Sequence, residues 1–350
     1  MEIDYRSQLT VVFDVVRILL VQGLAFRGHD ESSSSKNRGN FLEIFNWYAK
    51  KVEKIRSVIN EIAPGNNQLT SPLIQKQLVN SRATETTLAI IYEIGDRNFS
   101  LIVDESRDKS IKEQMAVTLR FVNKQGQVVE RFFAIQHDTI PARGHSRREG
   151  HWITYYHHYH AEVLIVVLDL IAIEMNGRFS EITAELLTCI SCLHPRDLFS
   201  RFHHGKLLRL AEIYSYDIFV QDLQVLKERL HTYIQDVRRS SDFVECHDLE
   251  SLAVKLVETR KHLVFPLVYR LIELALILPV ATTSVERAFS AMNIIITELR
   301  NKIGDEWLND MMICYIERQV FETIDDEAIL LRFQNMQSRR IQVPPRRDGH

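Results

Sequence analysis

The stretch at residues 265–304, FPLVYRLIELALILPVATTSVERAFSAMNIIITELRNKIG, is the longest apolar-rich run of the chain, yet it carries Pro279, Glu286 and Arg287 in its middle. The run reads as two helices. The first is predicted over 266–278, opening on a proline tolerated at the first helical position and placing Leu267, Leu271, Leu274 and Leu278 at three- and four-residue spacing. Pro279 ends it. The second opens at Thr283-Ser284-Val285-Glu286, which has the form of a capping box: the Thr283 oxygen accepts from first-turn amides while Glu286 reaches back. Gly304 is expected to close that helix with a left-handed residue. On these grounds alone Glu286 is a cap or surface carboxylate.

The 350 residues, 45% of them hydrophobic, suffice for one large or two ordinary domains with real cores. The net charge of -3, from 43 basic and 46 acidic residues, provides no global basic field, so any nucleic-acid surface must be a local patch. Cysteines at 189, 192, 246 and 314 are too scattered for a disulfide framework, which suits a reducing compartment such as the nucleus or the cytoplasm. No uninterrupted apolar run approaches about 18 residues, so no membrane partner is expected. The apolar segment 11–21 is broken by Asp14 and Arg17 and lacks a clean cleavage site; it reads as an amphipathic helix packed on the body.

In chain order, 28–39 holds four consecutive serines between glycines and reads as a loop. Helical spacing follows over 40–62, stopped by Ala63-Pro64-Gly65. A helix from 72 to about 93 takes Ser71 as its cap and Pro72 at its first position. The period then changes to two. Residues 99–103, 115–122 and 128–135 read as strands of a meander, with Asn123-Lys124-Gln125-Gly126 as the turn between the last two and Asp104-Glu105-Ser106 at the exit of the first. Residues 160–245 read almost wholly helical, with apolar stripes over 163–175, 179–193 and 222–237. Two last helices are expected over 306–321 and 325–336, before a disordered basic tail from Ser338.

Several of these residues carry a family resemblance. The run Thr283-Ser284-Val285-Glu286-Arg287-Ala288-Phe289-Ser290-Ala291, with Leu299-Arg300-Asn301-Lys302-Ile303-Gly304 and Trp307-Leu308-Asn309-Asp310, resembles the C-terminal dimerisation region of hAT (Ac/hobo) transposases. Further upstream, Gly39-Asn40-Phe41-Leu42-Glu43, Thr70-Ser71-Pro72-Leu73-Ile74-Gln75-Lys76 and Val103-Asp104-Glu105-Ser106-Arg107-Asp108 are similar to the front half of the catalytic core in transposon-derived, MYM-type zinc-finger-like proteins. The resemblance implies an α/β fold: an incomplete RNase H-like three-stranded meander, a mainly α-helical remainder and a helical C-terminal dimerisation region. It implies five segments: an N-terminal helix and polar loop (1–35), the front half of the RNase H-like core (36–138), a helical segment after a deleted core region (139–245), the dimerisation region (246–325), and a terminal helix with basic tail (326–350). It also implies a nuclear location.

A transposase of this kind needs three carboxylates to hold two divalent metals, and carboxylates suit Mg2+ because it is a hard, oxygen-seeking ion. The resemblance places the first carboxylate on Asp104 and the third on Glu286. Asp104 also has a plain reading as a turn residue at a strand exit. The second carboxylate belongs to a Gly-Tyr-Asp-Gly-type segment that this sequence lacks, since after Asp138-Thr139 it passes directly to a basic stretch resembling a later part of the family pattern. A metal pair without its bridging ligand is held loosely, and a displacement of about 1 Å can cost on the order of 100-fold in rate. The expectation is a vestigial, incomplete triad, no enzymatic activity, and no cofactor; Mg2+ would bind only if the triad were restored.

The surviving activity expected from the resemblance is association, as a homodimer or with related transposase-like proteins, through Leu271, Leu274, Leu278, Phe289, Ile294, Ile295 and Trp307. The plain reading of the same residues is monomer core. Two alternatives remain open: an active metal-dependent strand-transfer enzyme in which Asp138 or Asp169 supplies the missing acid, and a nonspecific DNA-binding module using Arg143, Arg147 and Arg148, whose contacts need only charge. Arg238, Arg239 and the tail arginines are further basic positions that read as solvated. Neither His151, His157, His158 and His160 nor Cys189-Ile190-Ser191-Cys192 completes a zinc set, so no metal site is expected there. The family's upstream zinc-finger domain is expected to be absent, and with it the usual sequence-specific reader.

Overall fold

The computed structural model describes residues 2–32, 34–51, 69–107, 113–137, 181–279, 283–297, 300 and 303–337. These are mostly helical, with one three-stranded antiparallel sheet. The chain divides into two compact units: Met1–Arg120, Val129–Thr139 and Pro279–His350 form the first, Phe121–Val128 and Ile140–Leu278 the second. This division cuts across the five sequence segments, joining 1–35 to 36–138 and splitting the dimerisation region after Leu278.

In the first unit, α1 (Glu2–Val21) is buried more fully than an amphipathic helix would be: Leu9, Val11, Val12, Phe13, Val15, Val16, Leu19 and Leu20 all lie in the core. A loop then returns to α2 (Asn40–Lys51), which packs on α1. The loop closes on two glycines. A Cβ on Gly39, whose φ is +96°, would stand 2.1 Å from the amide nitrogen of Gly28, so no side chain fits at that base.

Helix α3 (Pro72–Ile94) begins where the sequence places it, with Ser71 Oγ accepting from the Ile74 amide at 3.4 Å and Pro72 in the first turn. It is the hub of the unit, packing against α1 and three C-terminal helices. Its hydroxyls turn inward without cost because each donates to the carbonyl four residues back: Ser81 to Gln77, Thr84 to Asn80 and Thr86 to Arg82, all at 2.8 Å.

Strands β1 (Phe99–Arg107), β2 (Glu113–Val122) and β3 (Val128–His137) lie in the order β1-β2-β3. Each runs further than its apolar run predicts, and for β1 this matters: Asp104 lies within the strand, not at its exit. It falls on the same face of the pleat as buried Ile102, opposite exposed Leu101 and Val103. Asn123 makes the predicted β2–β3 turn, its Oδ1 accepting from the amides of Gln125 (2.9 Å) and Gln127 (3.0 Å).

The C-terminal part of the unit comprises α10 (Thr283–Ile295), α11 (Asp305–Ile316), α12 (Arg318–Thr323) and α13 (Asp326–Asn335). Two expectations are corrected here. Helix α10 opens at Thr283, as the sequence places it, and the residues before it, 280–282, lie outside those described. Gly304 does not close α10, which ends at Ile295; with φ -75° and ψ 150° it caps the start of α11. The helix expected over 306–321 breaks at Glu317, which takes φ -87° and ψ 39°.

The second unit begins with the hairpin tip and continues through α4 (Glu181–Ile190), α5 (His204–Ile213), α6 (Val220–Arg239), α7 (Leu249–Glu258), the short α8 (Lys261–Val264) and α9 (Pro266–Leu276). Its core includes Phe199, Tyr233 and Phe265 with Leu226, Leu230, Leu252 and Leu271. Gly126, at φ +81°, lets the tip lie against α7, since a Cβ there would meet Ala253 backbone at 2.7 Å. Arg238 is structural, donating to the carbonyls of Leu198 (3.0 Å) and Phe199 (2.8 Å) across a turn whose residues 197–199 all have positive φ.

Residues 52–62 of the second predicted helix, the helix over 163–175, the histidine run and the tail lie outside the described residues. Among those described, no helix is long and apolar enough to cross a membrane.

Candidate functional site

Helix α10 packs on β1, so the elements that carry Glu286 and Asp104 are neighbours in the first unit. Their side chains have different settings. Asp104 is half-buried on the inner face of the strand, whereas Glu286 is exposed on the outer face of the helix, between buried Val285 and the buried pair Ala288 and Phe289. Among the described residues, no three His, Cys, Asp or Glu side chains gather into a group that could hold a metal ion. Asp104 and Glu286 alone therefore do not fit a Mg2+ pair. Asp138 and Asp169, like Arg143, Arg147 and Arg148, lie outside the described residues.

The seven residues expected to bridge two copies separate by burial. Leu271, Leu274 and Ile295 are at most 2% exposed within their own chain, and Phe289 is also buried. They fill core within their own chain, which is the plain reading of the same residues: helical spacing identifies an apolar face but not the surface that covers it. Leu278 and Trp307 are half-buried, and Ile294 is exposed. Both cysteines of the CxxC are buried, in keeping with the core reading; burial raises the affinity of Cys189 for its proton.

Trp307, in the first turn of α11, stands edge-on to Phe26 with ring centroids 5.2 Å apart. Phe26 in turn stacks on Phe41, so the indole is anchored to the loop-and-α2 region. Nearby, Arg300 donates through Nη1 to the carbonyl of Gly23 and contacts Met311 Sδ through Nη2, both at 3.0 Å. Burial depresses its pKa to about 10. Three residues on from Trp307, Asp310 accepts from Asn80 Nδ2 at 2.9 Å, and burial raises its pKa to about 6. The sequence reading named Trp307 but missed Arg300 and Asp310 as a pair of under-compensated charges. Their positions beside Trp307 in the family-like run were the available signal.

A cleft of about 490 Å3 is lined in part by Arg131, Arg287, Arg318 and Glu317. Two of its cations are committed: Arg131 forks onto Glu93 (2.9 and 3.1 Å) and reaches Glu317 (3.3 Å), and Arg318 binds Glu322 at 2.8 Å.

Comparison with protein-family models agrees with this layout. Residues 1–141 match the ZMYM1/FAM200 RNase-like domain, and residues 235–318 match the hAT family C-terminal dimerisation region. An RNase-like domain followed by such a region is the layout of a transposase-like protein, and in both stretches the chain is similar to hAT-derived proteins.

Proposed function

We propose that this transposase-derived protein does not cut or join DNA and that its working activity is self-association through the C-terminal region. The observation that carries the reading is the match of 235–318 to the hAT dimerisation region, in a chain where residues 142–234 fall in neither match. The inactive-core half of the reading is supported by Asp104 and Glu286: one faces inward from a strand, the other points to solvent, and no third donor joins them among the described residues. A two-metal site requires both ions to be clamped by shared carboxylates.

Two measurements test this. Light scattering on the full chain at two concentrations should give a dimer mass that falls on dilution. Incubation with Mg2+ and supercoiled plasmid should give no nicking above that of an Asp104→Asn variant. A monomer at every concentration removes the association reading, and Mg2+-dependent nicking that disappears in Asp104→Asn removes the inactive-core reading.

A further inference from the structure

We propose that the surface centred on Trp307 is the contact between two copies of this chain, with the basic hollow beside the ring receiving the acidic hollow of the other copy across a two-fold axis. This rests on the self-association reading and adds the surface through which it occurs. Trp307 lines a hollow of about 310 Å3 whose charged lining is Arg27, itself paired with Glu31, and Lys76 and Arg300, with no carboxylate. It also lines a hollow of about 450 Å3 whose lining includes Asp305, Glu306 and Asp310, the two sharing Lys76, Gly304 and Trp307. The charge of the lining thus changes sign between two adjoining hollows that meet at one aromatic ring.

A two-fold contact uses the same patch on both copies, so the patch must complement itself after a half-turn. Positive and negative hollows adjoining at one ring satisfy that condition: each basic hollow meets an acidic hollow, twice. The charges are also set up to gain from a partner. Among the described residues, the side chain of Arg300 has a carbonyl and a thioether as its acceptors, and Asp310 an amide donor. An opposite charge brought to each supplies compensation that the single chain leaves out. Trp and Arg at the middle of a patch with a charged rim is the composition of interface hot spots. The ring lies in α11, inside the matched dimerisation region. The same region exposes Leu263 and Val264 on α8, at 69% and 52%, but that apolar pair has no complementary feature to define its cover.

The test is a charge exchange on the full chain, read by sedimentation at graded concentration. Lys76→Glu and Glu306→Lys alter exposed side chains that join no ion pair among the described residues, so both variants should keep the wild-type circular dichroism and melting temperature. Each alone should weaken dimerisation by roughly tenfold or more, because like charges then oppose at both symmetric contacts. Mixed in equal amounts they should restore association to near the wild-type level, as a heterodimer in which every charge again faces its opposite. A Leu263→Glu, Val264→Glu double variant should dimerise like wild type. If the charge variants keep wild-type affinity, if their mixture is no tighter than either alone, or if the α8 variant is the one that dissociates, the surface is wrong while self-association stands. A wild-type monomer at every concentration overturns both.

Discussion

The carboxylate of Glu317 accepts a 2.6 Å hydrogen bond from the backbone amide of Phe132, so that a break between two helices and an outward-facing amide of the sheet satisfy each other. The same carboxylate takes Arg131 at 3.3 Å, and nearby the amide of Ile135 is satisfied by Asn309 Oδ1 at 3.0 Å. Removing the acceptor leaves a buried N–H orphaned and one arm of Arg131 unpaired. Glu317→Ala should therefore lower stability by about 3 kcal/mol, and Glu317→Gln, which keeps an acceptor, by about 1 kcal/mol. Urea unfolding of the two variants decides it; equal losses would show that the carboxylate's packing, not its hydrogen bonds, matters.

Asp310 gives a pH signature. Its pKa is raised from 3.8 to about 6 by burial, so the folded chain holds this proton more tightly than the unfolded one. The group's contribution is thus most favourable below pH 4 and is lost as pH rises through about 6. Asp310→Asn cannot titrate and keeps an oxygen for Asn80. The stability of the variant relative to wild type should increase between pH 4.5 and 7, with an upper bound on the order of 3 kcal/mol. A gap that does not change with pH would contradict the assignment.

Arg82 separates the value of a charge from the value of its volume. Its guanidinium is fully buried between the rings of Phe13 and Phe321, 5.6 and 5.3 Å from their centroids, and binds Asp326 at 2.9 Å, while Nε and Nη1 find no acceptor among the described residues. Burial lowers its pKa. Arg82→Met preserves length and removes the desolvated charge, and should leave stability unchanged or higher by about 1 kcal/mol. Arg82→Ala opens a cavity beneath two rings and should cost about 3 kcal/mol. Melting temperatures in that order, Met at or above wild type and Ala well below, are the expected result.

What the sequence made legible was local. The hairpin was readable because Asn123 and Gly126 build their turn within five residues, and α3 because Ser71 and Pro72 act on their own first turn. Gly304 was misread because a glycine between two helices can serve either, and only the earlier end of α10 at Ile295 decides which. The break at Glu317 could not be read locally, since its partner Phe132 lies 185 residues away. Asp104 was placed at a strand exit because the apolar run stops at Val103, while backbone pairing continues to Arg107. Trp307 stood out by resemblance, but its two hollows are built partly by Arg27, Lys76 and Asn80, which no C-terminal pattern contains.

Ile294 and Ile295 carry the last prediction, because adjacent residues of identical chemistry differ as far as they can in setting. Ile295 is 0% exposed and Ile294 is 51% exposed. An uncompensated carboxylate forced into the core costs several kcal/mol, a large part of a domain's whole stability. Ile295→Asp should therefore give an unfolded or aggregated protein, as should Leu274→Asp in the core of the second unit. Ile294→Asp should fold, with a change of about 0.5 kcal/mol or less, as is usual for exposed positions. Circular dichroism melts of the three variants separate these outcomes. A folded, monomeric Ile295→Asp would return that residue to the surface between two copies, and an unfolded Ile294→Asp would mean that its exposed face is covered in the working protein.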